Sequence, residues 1–435
     1  MRAIWQSPTN PMPLYCLADS CQQLDDMTGW HQAVELALSL EHETHEQSYY
    51  CGRAKIRMGD WSGWIDYDGA RHFGAHFKSP QTMRARMLGW SHIAWDGESD
   101  LADMTLLAIC EQGFGDTIQM LRFAPDLSKR AKKVILAVQE SLVSLARHNF
   151  GHLATIVARE KDMAIEFDCY TWLLSLPALI GFLPTFVPLE APQPAARSSD
   201  GGGQLEVGLC WAGLPAYGKD KERTIPISAF EPLFARDGVR WHSLQVGAAA
   251  ADADAYSQVL RPQVPLLSFA DTANLIAGLD CVVAVDTAVC HLAGSMGIPT
   301  LLPLNTAAVW RWGLEDTTPW YPTMRLFRQR VFGDWVDVVA SIAGHLDRML
   351  EAKVESPAAA IVPLRPANGE LVGHQRDEMT YQAPTLIYNG TVTVETRCDG
   401  QTSVDGCFMA AGRAFTDEGI DISEPTVGTE TSGED

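Results

Sequence analysis

The sequence lacks the features that mark exported and membrane-spanning proteins. Its amino terminus has no continuous apolar core, so we do not expect a secretory signal peptide. The most apolar stretch, residues 172–189, is interrupted by three prolines and is at the short end for a membrane span. We therefore predict a soluble, cytoplasmic protein without a transmembrane segment.

Cysteine patterns that bind metals are also missing. The 10 cysteines are scattered without a C-x-x-C pair or the Cys/His spacing of a zinc site. Cys110, Cys210 and Cys281 lie in apolar runs, which is typical of reduced, buried thiols. Cys398 and Cys407 flank a turn-rich loop and would pair only in an oxidising space.

Positive charge is scarce. The chain has 33 Lys and Arg against 54 Asp and Glu, a net charge of −21. This argues against non-specific binding to nucleic acid, because such binding rests on basic side chains that meet phosphates. Residues 366–435 alone carry 13 acidic and 3 basic residues. A phosphate site elsewhere is therefore less opposed than the total charge suggests.

Composition divides the 435 residues into segments. Residues 191–203, rich in Pro, Ser and Gly, are the clearest linker. Alternating strand and helix patterns on both sides predict an α/β fold with parallel sheets. We predict a loop with a helical cap (1–100), two Rossmann-like halves (101–195 and 204–352) and an acidic appendage, partly β and disordered at its end (356–435).

The chain is organised around residues 279–304. A β-branched run at 281–285 predicts a buried strand, a helix ends at Gly297, and a second strand follows at 300–304. Asp286 and Thr287 would lie where a strand ends and a helix begins, a place that favours anionic ligands. His291 follows one turn later. Taken alone, the spacing favours Asp286 as a helix N-cap, with Thr287 as a second cap and His291 as a packed helix residue.

A second turn follows the strand predicted at 104–110. Gly113 and Gly115 are expected to allow a tight turn, and helical periodicity begins at Thr117. The pattern is an incomplete dinucleotide fingerprint, because Ile118 replaces its third glycine. An NAD(P)-dependent enzyme is therefore one alternative. Taken alone, Asp116 is a helix N-cap.

A basic loop follows the strand predicted at 206–211. Lys219, Lys221 and Arg223 lie close together in it. Such a loop neutralises a diphosphate or is simply solvated, and arginine can bind phosphate with two parallel hydrogen bonds. Two Asp-x-Asp strings, at 66–68 and 252–254, follow no convincing strand and are interpreted as surface loops.

Several of these strings together resemble one family. They are D-T-x-x-x-H-L-A-x-x-x-G-x-P-T from Asp286, the Gly-Asp pair at 115–116, W-x-G-x-P…R-T-I-P from Trp211 and TPWYPTMRLFRQ near 320. They are similar to the ADP-heptose:lipopolysaccharide heptosyltransferases and their relatives, glycosyltransferase family 9. The resemblance implies the GT-B fold of two facing Rossmann-like domains. It also implies inverting, metal-independent transfer from a nucleoside-diphosphate sugar to a hydroxyl acceptor, without a cofactor.

The resemblance also assigns residues. It implies Asp116 as the catalytic base; Lys219, Lys221, Arg223, Gln245, Asp286, Thr287, Ala288 and His291 as donor-binding residues; and Gln112, Gly113, Gly115 and Gln119 as the acceptor-side loop. The acceptor is expected to be a glycan, a lipopolysaccharide or a protein, including a lipid-linked acceptor at a membrane surface. A non-catalytic relative that binds a sugar nucleotide or a protein is the main alternative.

The amino-terminal segment has its own resemblance. Helices predicted at 31–41 and 49–58, followed by Gly-Asp-x-x-Gly-Trp and an aromatic-rich run, resemble the last tetratricopeptide unit of bacterial proteins that join such repeats to a glycosyltransferase domain. Only one unit is visible, and a solenoid needs several to bury its faces. We therefore predict a cap that packs on the catalytic domain.

Overall fold

The computed structural model describes residues 9–71, 93–159, 165–182, 186–195, 204–216 and 218–355. The predicted appendage at 356–435, with Cys398 and Cys407, lies outside this part of the chain. The described residues form a helical region and two α/β halves. Each half is built on an all-parallel sheet, so the predicted fold class is confirmed at this level.

Within residues 9–71, the described part of the helical region has four helices: α1 (Met12–Gln23), α2 (Met27–Leu38), α3 (His45–Arg57) and α4 (Gly63–Arg71). The first pair packs together and so does the second. Helix α3 begins with a capping box, in which Thr44 and Gln47 bind each other's backbone N–H groups. The region therefore consists of two helical hairpins, whose relation to tetratricopeptide repeats stays a prediction.

The loop predicted before residue 30 is wrong for residues 12–23, which form helix α1. Its prolines, Pro11 and Pro13, stand at the helix start, where a missing N–H costs nothing. The surface loop predicted at 66–68 is also wrong, because these residues belong to α4 and Asp68 is buried. The second Asp-x-Asp string lies in an exposed 3₁₀ turn, as expected.

The first half has a four-stranded sheet in the order β3-β2-β1-β4. Its strands are β1 (Thr105–Ile109), β2 (Lys133–Val138), β3 (Thr155–Ala158) and β4 (Cys169–Trp172). Its helices are α5 (Phe114–Met120), α6 (Ala124–Arg130), α7 (Val143–Phe150) and α8 (Leu176–Ile180). Strand β4 was not predicted, because its CYTW sequence merges with the apolar stretch that follows it.

The second half has a six-stranded sheet in the order β10-β9-β8-β5-β6-β7. Its strands are β5 (Leu205–Cys210), β6 (Val239–Ser243), β7 (Val259–Leu260), β8 (Cys281–Ala284), β9 (Thr300–Leu304) and β10 (Met324–Arg328). Its helices are α9 (Asp220–Arg223), α10 (Glu231–Phe234), α11 (Phe269–Ile276), α12 (Ala288–Ser295) and α13 (Val336–Glu355). The strands predicted at 206–211, 281–285 and 300–304 are confirmed, each within one residue.

The three parts share one core. Trp64 of α4, Leu106 of β1 and Leu302 of β9 belong to the same cluster of buried apolar side chains. The described part of the predicted linker already lies along the second half, where Ala195 donates its N–H to the Asn274 carbonyl of α11 at 2.8 Å. None of the described helices is long and apolar enough to cross a membrane.

We expect truncation after residue 355 to leave a folded protein. Both sheets and the shared core lie before that point, and α13 packs against the second sheet. The truncated chain should keep a single cooperative thermal transition. Aggregation, or loss of that transition in calorimetry, would show that the following residues complete the core.

Candidate functional site

A cleft opens at the carboxyl edge of the second sheet, beside the ends of β8 and β9. Its lining comes from the loop after β5, the end of β8 and the segment after β9, and consists of Lys219, Glu222, Arg223, Asp286, Pro303, Leu304, Asn305, Ala307, Ala308 and Val309. We call it the carboxyl-edge cleft. In parallel α/β sheets this edge is where ligands bind, because several loops converge there.

Arg223 holds two loops of the cleft together. Its Nε lies 3.0 Å from Asp220 Oδ1, and its Nη1 donates to the Asp286 carbonyl at 2.7 Å. The side chain remains 24% exposed, so its guanidinium is accessible to a ligand. Lys219 is exposed at the same edge. Two of the three predicted basic residues therefore line one cleft.

Helix α12 begins directly behind the cleft. Thr287 is its N-cap, without a side-chain capping bond, and Asp286 precedes it. Asp286 is therefore not the N-cap that its sequence position alone allowed. The first N–H groups of a helix have no partner inside the helix and carry a partial positive charge. Those of α12 thus place a partial positive charge beside the cleft, whose charged side chains are two basic and two acidic.

His291 is packed into the protein and does not line the cleft. Its ring stacks on Trp312 at 5.0 Å, and Nδ1 lies 2.8 Å from the Tyr321 hydroxyl. Burial holds the pKa of His291 well below its usual value, and the charges of Arg311, Arg122 and Arg223 act in the same direction. The histidine is therefore neutral at pH 7. Its predicted contact with a donor stays a prediction.

The two halves meet where α5 touches α12. A Cβ on Gly115 would lie only 2.6 Å from Cδ2 of His291, so no larger residue fits there without a shift. Gly113 has an ordinary extended conformation, with φ −68°, and the backbone of Gly115 is not left-handed either. The expected tight turn is therefore wrong as the reason for these glycines. At Gly115 the reason is close packing between the halves.

Asp116 lies at this contact. It is the third residue of α5, not the N-cap, which is Gly113. Its Oδ2 accepts the N–H of Gly113 at 3.1 Å. Its Oδ1 lies 2.7 Å from Nη2 of Arg311, a residue of the second half. Both side chains are nearly buried, at 14% and 10% exposure, so the pair is shielded from bulk water.

The remaining predicted residues take other positions. Gln245 is saturated by backbone groups, since its Oε1 accepts from Trp211 and Ala212 at 3.1 and 2.9 Å. Lys221 is exposed and lies outside the residues that line the cleft. Both are placed without a contact that favours donor binding, and their predicted roles stay untested.

A buried side chain holds the backbone of the acceptor-side loop. Gln139 donates to the carbonyl of Gln112 at 2.9 Å. Gln119 is fully buried, and among the described residues neither atom of its amide has a hydrogen-bond partner. Such an unpaired buried amide calls for an explanation, for example a water or a ligand. The described part of the fold thus leaves the hydrogen-bonding groups of the Gln119 amide without a partner.

A metal ion has one conceivable place in the described chain. Ligand atoms of Asp286, Cys290 and His291 lie within 4.8 Å of one another. Burial raises the pKa of the Cys290 thiol well above its usual value, and Asp286 adds to this. A protonated thiol among arginines is a poor cation site. These residues do not fit a metal, and the expectation that none is used stays a prediction.

A buried ionic cluster supports the acceptor-side loop from the helical region. Arg71 of α4 lies 2.7 Å from Glu111 and 2.8 Å from Asp68. Ser175 bonds to both Arg71 and Asp68. Burial raises the pKa of Glu111 to about 7, although the charge of Arg71 opposes this. Two carboxylates thus share one arginine directly behind the loop that ends in Asp116.

The sequence alone did not assign a role to Arg311 or Arg71. Arg311 stands between two tryptophans just after a strand, which is a signal that could have marked it as a structured, functional arginine. Arg71 has one local partner, Asp68 on the same helix, but its ion pair with Glu111 joins another region of the chain and has no local signal.

We expect Glu111→Gln to reduce the pH dependence of stability. Between pH 4.5, the ordinary value, and pH 7 the folded protein retains a proton that the unfolded chain has lost. Stability therefore falls as the pH rises through this window. The variant, which mimics the protonated form, should match the wild type at pH 5 and exceed it at pH 8 by about 1 kcal/mol or more.

The measurement is urea unfolding at both pH values, with the exposed Glu98→Gln as the control. A loss of stability in Glu111→Gln at pH 8 would show that the ionised carboxylate is preferred beside Arg71.

Comparison with known proteins gives one curated relative. Protein FlbA of Caulobacter vibrioides is 27% identical over 322 residues, which cover 66% of this chain and 52% of that protein. The chain thus spans about half the length of the relative it matches. No protein-family model matches the chain.

Solved structures show further similarity. A family 9 glycosyl transferase from Veillonella parvula is 9% identical with a TM-score of 0.43, covering 59% of this chain and 99% of that one. For the heptosyltransferase WaaC of E. coli, with ADP-2-deoxy-2-fluoro heptose, the values are 13%, 0.40, 56% and 99%. For the iron-containing dodecameric glycosyltransferase TibC of E. coli they are 13%, 0.39, 60% and 78%. These proteins belong to the family that the sequence motifs indicated. At such similarity, function has to be inferred from the residues of the site.

Proposed function

We propose that the protein is a glycosyltransferase that moves a sugar from a nucleoside-diphosphate sugar to a hydroxyl acceptor. The carrying observation is the arrangement of charge across the two halves. Lys219, Arg223 and the amino end of α12 face one cleft of the second half. The carboxylate of Asp116 approaches from the first half, one residue beyond the Gly115–His291 contact. The cleft also carries the carboxylates of Glu222 and Asp286. Its two basic side chains and the helix end, rather than its net charge, suit a diphosphate leaving group, and the carboxylate on the facing half suits a base.

The chemistry proposed is a single displacement with inversion. Asp116 accepts the proton of the acceptor hydroxyl while the oxygen of that hydroxyl attacks the anomeric carbon of the donor sugar. The bond from that carbon to the diphosphate breaks, and the leaving diphosphate keeps the electron pair. Arg223, Lys219 and the N–H groups of Thr287 and Ala288 stabilise the negative charge. On this proposal the two halves form a GT-B pair, and neither a metal nor a cofactor takes part.

The acceptor belongs to the proposal as a class. A glycan, a lipopolysaccharide or a protein hydroxyl would each meet Asp116 from the side of Gln112 and Gln119.

The packing around Gly115 argues against the alternative of an NAD(P)-dependent enzyme. A dinucleotide's pyrophosphate approaches the backbone of the glycine-rich turn at the start of the first helix. Here the place beside Gly115 is filled by the ring of His291. The alternative of a non-catalytic binder keeps one observation in its favour, because the Asp116 carboxylate is engaged by Arg311.

Donor binding is tested at Arg223. We expect Arg223→Ala to weaken nucleoside-diphosphate binding by about 1.5–3 kcal/mol, the value of a charge-assisted hydrogen bond. Arg240→Ala is the control, since Arg240 pairs with Glu206 at 2.8 Å and lies outside the residues that line the cleft. Isothermal calorimetry with a panel of nucleoside diphosphates measures both. Equal affinity of Arg223→Ala and wild type would remove Arg223 from the site.

Catalysis is tested at Asp116. Asparagine can still accept the N–H of Gly113, but it cannot act as a base at neutral pH. We expect Asp116→Asn to lower transfer by about 10²–10⁴-fold without weakening donor binding. The readout is sugar transfer with the donor that binds best and a set of hydroxyl acceptors. Wild-type transfer rates in Asp116→Asn would contradict the role of base.

A further inference from the structure

The ion pair between Asp116 and Arg311 raises a question for the proposed reaction. The guanidinium of Arg311 lies 2.7 Å from the Asp116 carboxylate, the group that has to receive a proton in the proposed reaction. An adjacent positive charge favours the ionised form of a carboxylate and makes it a weaker base. Asp116 therefore needs to leave this partner before it can act on an acceptor.

Arg311 is well placed to take another partner. It follows the cleft-lining segment by two residues. The ring of His291, which stacks on Trp312 next to Arg311, has its Nε2 3.9 Å from Oδ1 of the cleft residue Asp286. A diphosphate in the carboxyl-edge cleft would thus lie within the influence of both Arg223 and Arg311. Arginine binds phosphate oxygens through two parallel hydrogen bonds, and a diphosphate offers more negative charge than one carboxylate.

The backbone around Arg311 is fixed, so the side chain alone can switch. Trp320 donates its indole N–H to the Arg311 carbonyl at 3.1 Å. The helical region secures the preceding segment, since Gln22 donates to the Thr306 carbonyl at 2.7 Å and Arg57 to the Ala308 carbonyl at 2.9 Å. Because the backbone of this segment is held in place, a change of partner at Arg311 requires movement of its side chain only.

We propose that Arg311 is a positioning residue that exchanges Asp116 for the donor diphosphate. In the structure it binds Asp116 and draws the two halves together. When a diphosphate enters the cleft, Arg311 turns to it, and Asp116 is released to accept the proton of the acceptor hydroxyl. Donor binding thus activates the base. This inference rests on the proposed function, since it takes the cleft to be the diphosphate site.

The exchange predicts that loss of the Asp116 carboxylate strengthens diphosphate binding. Calorimetry with inorganic pyrophosphate can test this. Arg311→Gln should weaken pyrophosphate binding about tenfold or more, and Arg311→Lys should recover part of the loss. Asp116→Asn should strengthen binding severalfold, because Arg311 no longer has a competing partner. In the double variant this strengthening should disappear.

Three outcomes would overturn the inference. One is unchanged affinity in Arg311→Gln; another is equal strengthening by Asp116→Asn with and without Arg311, which would indicate relief of direct repulsion only. The third is absence of pyrophosphate binding by the wild type, which would remove the proposed donor site as well. Loss of binding in Arg223→Ala together with normal binding in Arg311→Gln rejects the exchange and leaves the proposed function intact.

The control is Arg240→Gln. Arg240 pairs with Glu206 at 2.8 Å near the start of β5, at the opposite edge of the same sheet, and should not affect pyrophosphate binding. Thermal melting of every variant separates loss of binding from loss of folding. A general loss of stability in Arg311→Gln, without the dependence on Asp116, would also contradict the exchange.

Discussion

The close contact between Gly115 and His291 is the constraint on which the arrangement of the site depends. One helix from each half begins at the carboxyl edge of its sheet, and the two helices can approach because position 115 has no side chain. The approach brings Asp116 to Arg311 and buries His291 as a neutral ring. The contact therefore holds the half that carries the candidate base against the half that carries the carboxyl-edge cleft.

Much of the second half could be predicted from the sequence. β8 contains two adjacent valines, β9 is a leucine-rich apolar run, and the helix between them is followed by a glycine with positive φ, Gly297. Helix α1 was missed because its first turn contains prolines and its surroundings are polar. Local patterns report local structure, and they fail where a helix is stabilised mainly by a distant partner.

The candidate site was predictable only in part, for a similar reason. Asp286, Arg223 and Asp116 follow strands, and a residue after a buried strand is marked by its position. The interest of Arg311 lies in its ion pair with Asp116 of the other half. Spacing along the chain does not encode how the two halves face each other. Gln245 shows the converse, since a polar residue at a strand end turned out to serve the backbone beside it.

The buried cluster around Arg71 has a consequence for how such chains can diverge. Arg71 compensates Glu111 and Asp68 at sites that water hardly reaches. Loss of the arginine alone would leave two buried carboxylates without a counter-charge, which is among the most damaging changes a core can suffer. A descendant that replaces Arg71 should therefore also replace one of its acidic partners. The ion pair between Arg71 and Glu111 thus couples the helical region to the first half, so the effect of a substitution at one position is expected to depend on the residue at the other.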